Sequence, residues 1–432
     1  MNLTIKPVPS VSGNITVDPD KSLSHRAILI GSLAEGRTVV KNCLAGEDVE
    51  CTLKAVSQLG VSAGRAQDGS VTIDGTGLFG MEQPAQALYL GNSGTSMRLL
   101  LGVLAGQPFQ CELHGDESLS KRPMDRVAIP LEKMGATVRG LIEPHLPPMF
   151  IQGARLKPIT YETPLASAQV KSAIIFAGLY ASGVTTVIEP RPSRDHTERM
   201  LKAFGAHIVQ DGARVSVTGP ARLKPQTLTV MGDPSSAAFL LVAAIILPHS
   251  RVTVEGVNLN STRTGFVEVL RRMGAQIDVK VKGETAGEPF GDIEASSSAL
   301  KAVEIGPEDI PGIIDELPIL MVACAFASGT TSIRGAGELR VKETDRIVSM
   351  AAGLNRMDAQ IKELEDGVEI QGVRKLAGAN VQSFGDHRTA MSLAVAALSA
   401  RGTTTVHDTD CIRTSFPSFP SLLKQVAGMT AG

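Results

Sequence analysis

The chain of 432 residues has no tryptophan, three tyrosines and twelve phenylalanines, so aromatics make up only 3% of it. That leaves few rings on which nucleic acid bases could stack, and disfavours a nucleic-acid-binding protein. Neither sign of charge is in excess. Lys and Arg number 42 against 44 Asp and Glu, a formal net charge of −2, so no long-range field steers the chain toward nucleic acid or an acidic membrane. Any attraction for anions has to be local. The five cysteines, Cys43, Cys51, Cys111, Cys324 and Cys411, are widely spaced and odd in number, which favours reduced thiols and a cytoplasmic protein. The longest apolar run, Ala237 to Leu247, is far short of the roughly 20 residues that cross a bilayer, and it reads as a buried helix. No basic segment followed by an apolar run opens the sequence, so no signal peptide is expected. No H-E-x-x-H, Cys/His ligand spacing, P-loop or G-x-S-x-G elbow occurs, and neither metal, cofactor nor covalent nucleophile is expected.

What the chain does have is a repeat. Six times a small-residue helix end leads into a short β-branched strand, at Gly36, Gly106, Gly183, Ser250, Gly329 and Gly402. Some 22 to 29 residues later a second helix end follows, at Gly60, Gly135, Gly205, Gly274, Asp358 and Gly428. Self-similarity at a fixed period marks one supersecondary unit copied. Six copies account for nearly the whole chain, and favour two domains of three units each.

Each copy contains two expected helices. The first is apolar almost all round, which implies burial: Ala27–Leu33, Met97–Leu104, Val170–Tyr180, Ala237–Ile246, Ile319–Ala327 and Ala390–Ala400. The second is amphipathic: Asp48–Leu59, Val127–Met134, Thr197–Phe204, Gly265–Met273, Ile347–Met357 and Pro420–Val426. Alternating strands such as Val71–Ile73, Val215–Val217 and Val368–Ile370 follow, so the class is α/β. Domain boundaries are expected near Asp20 and Gly232–Pro234, giving residues 1–20 plus 233–432 as one discontinuous domain and 21–232 as the other. The Gly-, Glu- and Ser-rich stretch Val279–Lys301 reads as a surface insertion.

The chemistry should lie where the apolar helices begin. A helix N-terminus carries about half a positive charge, so an acidic first turn is the stable choice. Here Lys21-Ser22-Leu23-Ser24-His25-Arg26, Lys121-Arg122 and Lys342-Glu343-Thr344-Asp345-Arg346 bring cations to such turns. Amides and cations together suit a bound anion. Gly91-Asn92-Ser93-Gly94-Thr95-Ser96-Met97-Arg98 is a turn whose glycines let backbone amides approach a phosphate or carboxylate, although such a turn can equally be a plain helix start. Arg194, in Ser193-Arg194-Asp195-His196-Thr197-Glu198-Arg199, is a ligand candidate beside a capped helix. His387, in Asp386-His387-Arg388, could cap its helix or act as an acid or base. Asp315-Glu316 before Leu317 is what the dipole favours, so capping explains it as well as a general base does. Unaided, these residues describe an α/β enzyme that binds small, multiply anionic substrates between two domains.

In these same segments the sequence resembles the EPSP synthase family of enolpyruvyl transferases. The resemblance rests on Asp20–Arg26, Leu90–Thr95 through Arg98, Ser167–Ala173, Arg340–Arg346 and Gly385–Arg388, and it covers nearly the entire chain. It implies two domains, each of three β-α-β-α-β-β units with buried helices in an inside-out, barrel-like α/β arrangement, and an active site in a cleft that closes on substrate. It implies transfer of the enolpyruvyl group of phosphoenolpyruvate to the 5-hydroxyl of shikimate 3-phosphate through a tetrahedral intermediate, with phosphate released and no cofactor. On the matching positions, Lys21, Ser22, Arg26, Ser167, Gln169, Arg194, Asp315 and Lys342 would hold shikimate 3-phosphate. Lys21, Gly94, Arg122, Gln169, Arg346 and Arg388 would hold phosphoenolpyruvate. Asp315 would serve the hydroxyl proton and Glu343 the methylene carbon, with Lys21 between the two substrates. A cytoplasmic monomer and a target of glyphosate are further implications, since Gly94 keeps the residue whose replacement by alanine crowds that herbicide.

One departure stands out. Relatives often place a lysine before the Ser/Thr-Phe-Pro segment, where this chain has Thr414 ahead of Ser415; either Arg413 substitutes or that phosphate contact is absent. The sister activity on UDP-N-acetylglucosamine uses a reactive cysteine in a loop whose counterpart, Asp116–Pro123, has none; Cys111 lies upstream in an expected strand. A non-catalytic anion binder would gain nothing from carboxylates facing anions, and an RNA-end enzyme is disfavoured by the neutral charge and scarce aromatics.

Overall fold

The computed structural model describes residues 1–429. Its helices are α1 Lys21–Leu33, α2 Glu47–Gln58, α3 Gly94–Leu104, α4 Asp125–Met134, α5 Ala168–Gly178, α6 His196–Ala203, α7 Pro234–Ile246, α8 Gly265–Arg272, α9 Ile310–Ile313, α10 Leu317–Ala325, α11 Arg346–Arg356, α12 His387–Ala397 and α13 Phe419–Val426. The chain forms two compact units. The first comprises Met1–Asp18, Met231–Gly283 and residues from Pro289 onward; the second comprises Pro19–Val230 with Glu284–Glu288.

The all-round apolar sequences are helices α1, α3, α5, α7, α10 and α12, and nearly every residue along them is buried. In the second unit α3 lies directly on α5. A Cβ on Gly102 would stand 2.3 Å from the Ala173 carbonyl oxygen, so the two backbones touch where only glycine fits. In the first unit α7, α10 and α12 pack on one another. The amphipathic helices lie outside these cores and several carry the acids that a helix N-terminus favours, as with Glu47, Asp48 and Glu50 in α2. No acid stands in the first turn of any of the six apolar helices.

Each repeat closes a small sheet by the same route. In the second unit the strand Gly183–Ile188, which follows α5, pairs in parallel with Thr160–Glu162 and antiparallel with Arg214–Gly219, which pairs in turn with Ile208–Asp211. The sheet around Gln110–His114 repeats that order. The third sheet exchanges its leading strand. Thr227–Thr229, just before α7 in sequence, pairs in parallel with Val39–Lys41 after α1. Conversely Ser12–Thr16, just before α1, pairs in parallel with Arg251–Glu255 after α7. This exchange makes the first unit discontinuous in sequence. The sixth sheet has three strands, its third being Leu3–Ile5, antiparallel to Thr404–Val406.

The two units of repeated β/α elements agree with the expected α/β class; all six sheets are open, with three or four strands each among the described residues. Two expectations are revised. The stretch Val279–Lys301, expected as a surface insertion, is most of a regular hairpin, Gln276–Thr285 and Glu288–Ser296, with an exposed first strand, a tip that belongs to the second unit and a fully buried Glu288. Its glycines misled: Gly287 takes a φ of +79° at the hairpin turn, where its role is conformational. The apolar helices also begin three to six residues earlier than expected at α1, α3, α7 and α12. Their first turns carry the polar motif residues, which break the apolar pattern by which the helices are recognised.

Candidate active site

Many of the polar residues of both units lie at the starts of helices. Five of the six apolar helices have side-chain caps. Asp20 accepts from the Leu23 amide, Ser93 from Ser96, Ser167 from Val170, Asp233 from Ser235, and Asp386 from both Arg388 and Thr389. Each cap satisfies an orphan amide and fixes the first turn. Helix α10 is the exception, since Glu316 at its N-cap position makes no capping bond.

In the second unit the three helix starts are cross-linked. Lys21 Nζ, at the head of α1, donates to Asp48 Oδ2 of α2 at 2.7 Å. His25 Nδ1 meets Thr52 Oγ1 at 2.8 Å, Thr52 meets Ser96 Oγ at 2.6 Å, and Ser96 donates to Ser93 Oγ at 2.6 Å. Burial, reinforced by Lys21 and Arg26, drives the His25 pKa well below its ordinary value, so this ring is a neutral structural link. Arg26 donates from Nε to Thr197 Oγ1 at 2.7 Å, from one terminal nitrogen to Ser172 Oγ at 3.1 Å, and from the other to the Ser22 carbonyl at 3.0 Å. Burial pulls it down to about 10 despite Glu198 and Asp20, with the nearby cation Arg194 adding to the fall. Arg26, Arg194 and the Ser22 turn therefore form one electropositive group.

A second group gathers at α3. Arg98 donates to Gln169 Oε1 at 2.7 Å, and Gln169 donates to Thr95 Oγ1 at 2.9 Å, joining the starts of α3 and α5. Arg122 donates to the Asn92 carbonyl at 3.2 Å, to Ser118 Oγ at 3.0 Å and to Asn92 Oδ1. Gly94, the first residue of α3, sits beneath both guanidinium groups. A Cβ there would be 2.8 Å from an Arg98 nitrogen and 3.3 Å from an Arg122 nitrogen. The glycine turn thus presents helix amides and two arginines together, an arrangement suited to a small anion.

The first unit holds the carboxylates. Arg346, 1% exposed, opens α11 and donates to Asp386 Oδ2 at 2.8 Å, to Glu343 Oε2 at 2.6 Å and, more loosely, to Asp315 Oδ1 at 3.5 Å. Burial alone would lower its pKa, but Asp386, Glu343 and Asp315 together raise it. Arg388 donates to the Asp315 carbonyl at 2.7 Å and stands 3.8 Å from its Oδ2. Lys342 is pulled below the ordinary lysine range by burial, and by Arg346, against the pull of Asp315 and Glu343. Asp315 does not cap α10. It faces two guanidinium groups, while its neighbour Glu316 accepts from Ser235 and pairs with Arg263 at 3.9 Å.

The structure brings together Ser22, Arg26 and Arg194; Gly94, Arg122 and Gln169; and Lys342, Glu343, Arg346, Asp315 and Arg388. Lys21 lies at the head of α1 on Asp48, and Ser167 caps α5. Arg413 pairs with Asp410 at 3.9 Å and is mostly exposed, while Thr414 donates to the Cys411 carbonyl. Sequence reasoning missed Arg98 as the link to Gln169, and missed Asp48, Glu189 and Lys171. These are buried or part-buried polar residues inside otherwise apolar or ordinary amphipathic stretches, where pattern alone gives no sign of a partner.

Two units of repeated β/α elements, with cation-rich starts of buried helices in one and carboxylates held by buried arginines in the other, define an enzyme of the enolpyruvyl transferase class. The model of the EPSP synthase (3-phosphoshikimate 1-carboxyvinyltransferase) family matches residues 5–423, and the chain belongs to that family. It is 51% identical over 426 residues to the 3-phosphoshikimate 1-carboxyvinyltransferase of Desulforamulus reducens, covering 99% of both chains. It is 50% identical over 424 residues to that of Gloeobacter violaceus, covering 98% of both. The solved EPSP synthase of Acinetobacter baumannii superposes with a TM-score of 0.87 at 46% identity, covering 98% of both chains.

Proposed function

We propose that this protein transfers the enolpyruvyl group of phosphoenolpyruvate to the 5-hydroxyl of shikimate 3-phosphate. The observation that carries this reading is Arg346, a buried guanidinium that holds Asp315, Glu343 and Asp386 at once. A protein that only bound anions would gain nothing by placing carboxylates beside its cations. A protein that must move protons on a bound anionic pair needs both.

In the proposed reaction Asp315 accepts the proton of the 5-hydroxyl as its oxygen attacks C2 of phosphoenolpyruvate. Glu343 delivers a proton to the methylene carbon, giving a tetrahedral adduct that carries both the phosphate and the new ether. Elimination then breaks the C2–O bond to phosphate, which leaves with the proton that Asp315 had taken, and returns the methyl proton to Glu343, restoring the double bond. Arg122, Arg346, Arg388, Lys21 and the amide turn at Gly94 hold phosphoenolpyruvate and stabilise charge on the departing phosphate, with Gln169 alongside. Preorganised cations of this kind commonly supply the largest share of rate acceleration. Ser22, Arg26, Ser167, Gln169, Arg194 and Lys342 hold shikimate 3-phosphate. Free cysteines and the small-molecule chemistry fit a cytoplasmic enzyme working as a monomer. No helix among the described residues is long and apolar enough to cross a membrane.

The test is phosphate release from phosphoenolpyruvate with shikimate 3-phosphate and UDP-N-acetylglucosamine offered separately as acceptors. Release with shikimate 3-phosphate alone, accompanied by an enolpyruvyl ether product, is the expected result. Release only with the nucleotide sugar, or with neither, overturns the reading.

A further inference from the structure

The second unit contains a buried ionic triad in which none of the expected catalytic or binding residues takes part. Lys171 Nζ in α5 lies 2.9 Å from Glu189 Oε2 and 2.9 Å from Glu198 Oε1, and all three side chains are 1% exposed. Burying three charges is costly, and well-packed apolar residues commonly serve stability as well or better. What distinguishes this triad is what else it holds. Glu189 Oε1 accepts the backbone N–H of Ser167 at 2.9 Å. Glu189 Oε2 accepts both the backbone N–H and the hydroxyl of Ser193, at 3.1 and 2.8 Å. Lys171 Nζ donates to the Ser193 carbonyl at 3.2 Å. Every polar atom of Ser193 is therefore bound by the Lys171–Glu189 pair, and both of its flanking peptide planes are fixed. Arg194 is the next residue. The same carboxylate holds Ser167, the cap of α5, from its other oxygen.

We propose that Glu189, neutralised by Lys171, is a positioning residue that sets Ser167 and Arg194 in register with each other for the phosphate of the acceptor. The inference rests on the assignment of shikimate 3-phosphate to Ser167 and Arg194. One carboxylate ties the start of α5 to the segment before α6, so the hydroxyl and the guanidinium cannot drift apart independently. Glu198 completes the device from the far side. It holds Lys171 in place and also bears electrostatically on Arg26, which bonds Thr197, the residue before it. Ser167, Arg194 and Arg26, all assigned to shikimate 3-phosphate, thus share one buried charge network, while Gly94 and Arg122 are anchored through Asn92, Ser118 and the head of α3. Disturbing the pair should loosen the acceptor far more than phosphoenolpyruvate, which shares only Gln169 with the start of α5.

The experiment is steady-state kinetics of Glu189→Gln with each substrate varied separately. A glutamine can present only one acceptor end, so either Ser167 or Ser193 loses its partner, and Lys171 keeps Glu198 as its one carboxylate beside the Ser193 carbonyl. The expected result is a rise of about tenfold in KM for shikimate 3-phosphate, with kcat and KM for phosphoenolpyruvate changed less than about threefold. Ser193→Ala removes only the hydroxyl and keeps the fold within reach if the first variant does not accumulate. It should raise the same KM in the same direction by a smaller factor, whereas a purely structural role would lower kcat or melting temperature and leave that KM alone. Parallel rises in both KM values, or an unchanged acceptor KM in both variants while the wild type is active, overturn the role of the pair. A wild type that does not turn over shikimate 3-phosphate overturns the acceptor assignment, and this role with it.

Discussion

Gly94 shows how a single missing atom can shape a binding site. Its φ lies outside the left-handed region, so alanine would cause no backbone strain; the conflict is with Arg98 and Arg122, whose nitrogens stand 2.8 and 3.3 Å from the position of the new Cβ. Pushing Arg98 aside releases Gln169 as well. Gly94→Ala is expected to raise KM for phosphoenolpyruvate by about tenfold, as overpacking of a fixed site does, with little loss of melting temperature. Asp315 fails differently when altered. Asp315→Ala should lower kcat by about a thousandfold, the usual weight of a positioned proton-transfer group, while binding of shikimate 3-phosphate measured by titration changes far less. Lys342 supplies a pH signature. Its pKa lies below the ordinary lysine value, so with rising pH it loses its charge earlier than a solvated lysine would. KM for shikimate 3-phosphate should therefore begin to rise on the alkaline side below about pH 10, the region where free lysine titrates. In Lys342→Arg the group stays charged, and the rise should move to higher pH or vanish.

At the scale of elements, α3 and α5 carry the clearest sign test. Replacing glycine by alanine inside a helix ordinarily stabilises it by about 1 kcal/mol. Gly102→Ala should instead destabilise the protein by about 1–3 kcal/mol, because the new methyl meets the Ala173 carbonyl, a backbone atom that cannot turn aside. Urea denaturation of the variant checks the sign. These buried helices were legible in the sequence by their all-round apolarity, and the six-fold repeat by its small-residue helix ends. Their first turns were legible as charged or glycine-rich helix starts, but not as part of the apolar pattern, because Lys21–Arg26, Gly94–Ser96 and His387–Thr389 are polar. The hairpin at Gln276–Ser296 was misread for a related reason: its glycines and glutamates look like linker, yet Glu288 is buried against His196, with Nδ1 2.7 Å from Oε1. The candidate residues came from local motifs that carry their own signature. Their supports did not, since Lys171 reaches Glu189 and Glu198, and Arg346 reaches Asp315 and Asp386, across separations that no local pattern encodes.

The exchanged strands set what the whole chain can tolerate. The first unit depends on the N-terminal segment twice. Ser12–Thr16 forms the edge of one sheet beside Arg251–Glu255, and Leu3–Ile5 is a strand of another beside Thr404–Val406. Ile5, Val11, Ile15 and Val17 from this segment are buried in the core of that unit. The second unit needs no such loan of a strand. Residues 19–230 contain all three of its sheets, its three apolar helices and their caps, and lack only the tip Glu284–Glu288. A fragment of residues 19–230 should therefore show native-like circular dichroism and one cooperative urea transition, at lower stability because His196 loses Glu288. A fragment of residues 231–432 should be poorly ordered alone, since two sheets lose a strand each and the core loses four apolar anchors. Adding a peptide of residues 1–18 should restore part of its cooperativity, as a missing strand supplied in trans can. An unfolded 19–230 fragment would show that the borrowed tip, and not the sheet set, holds the second unit together. A 231–432 fragment that unfolds cooperatively without the peptide would mean that the exchanged strand is an ornament of the repeat and not a condition of its folding.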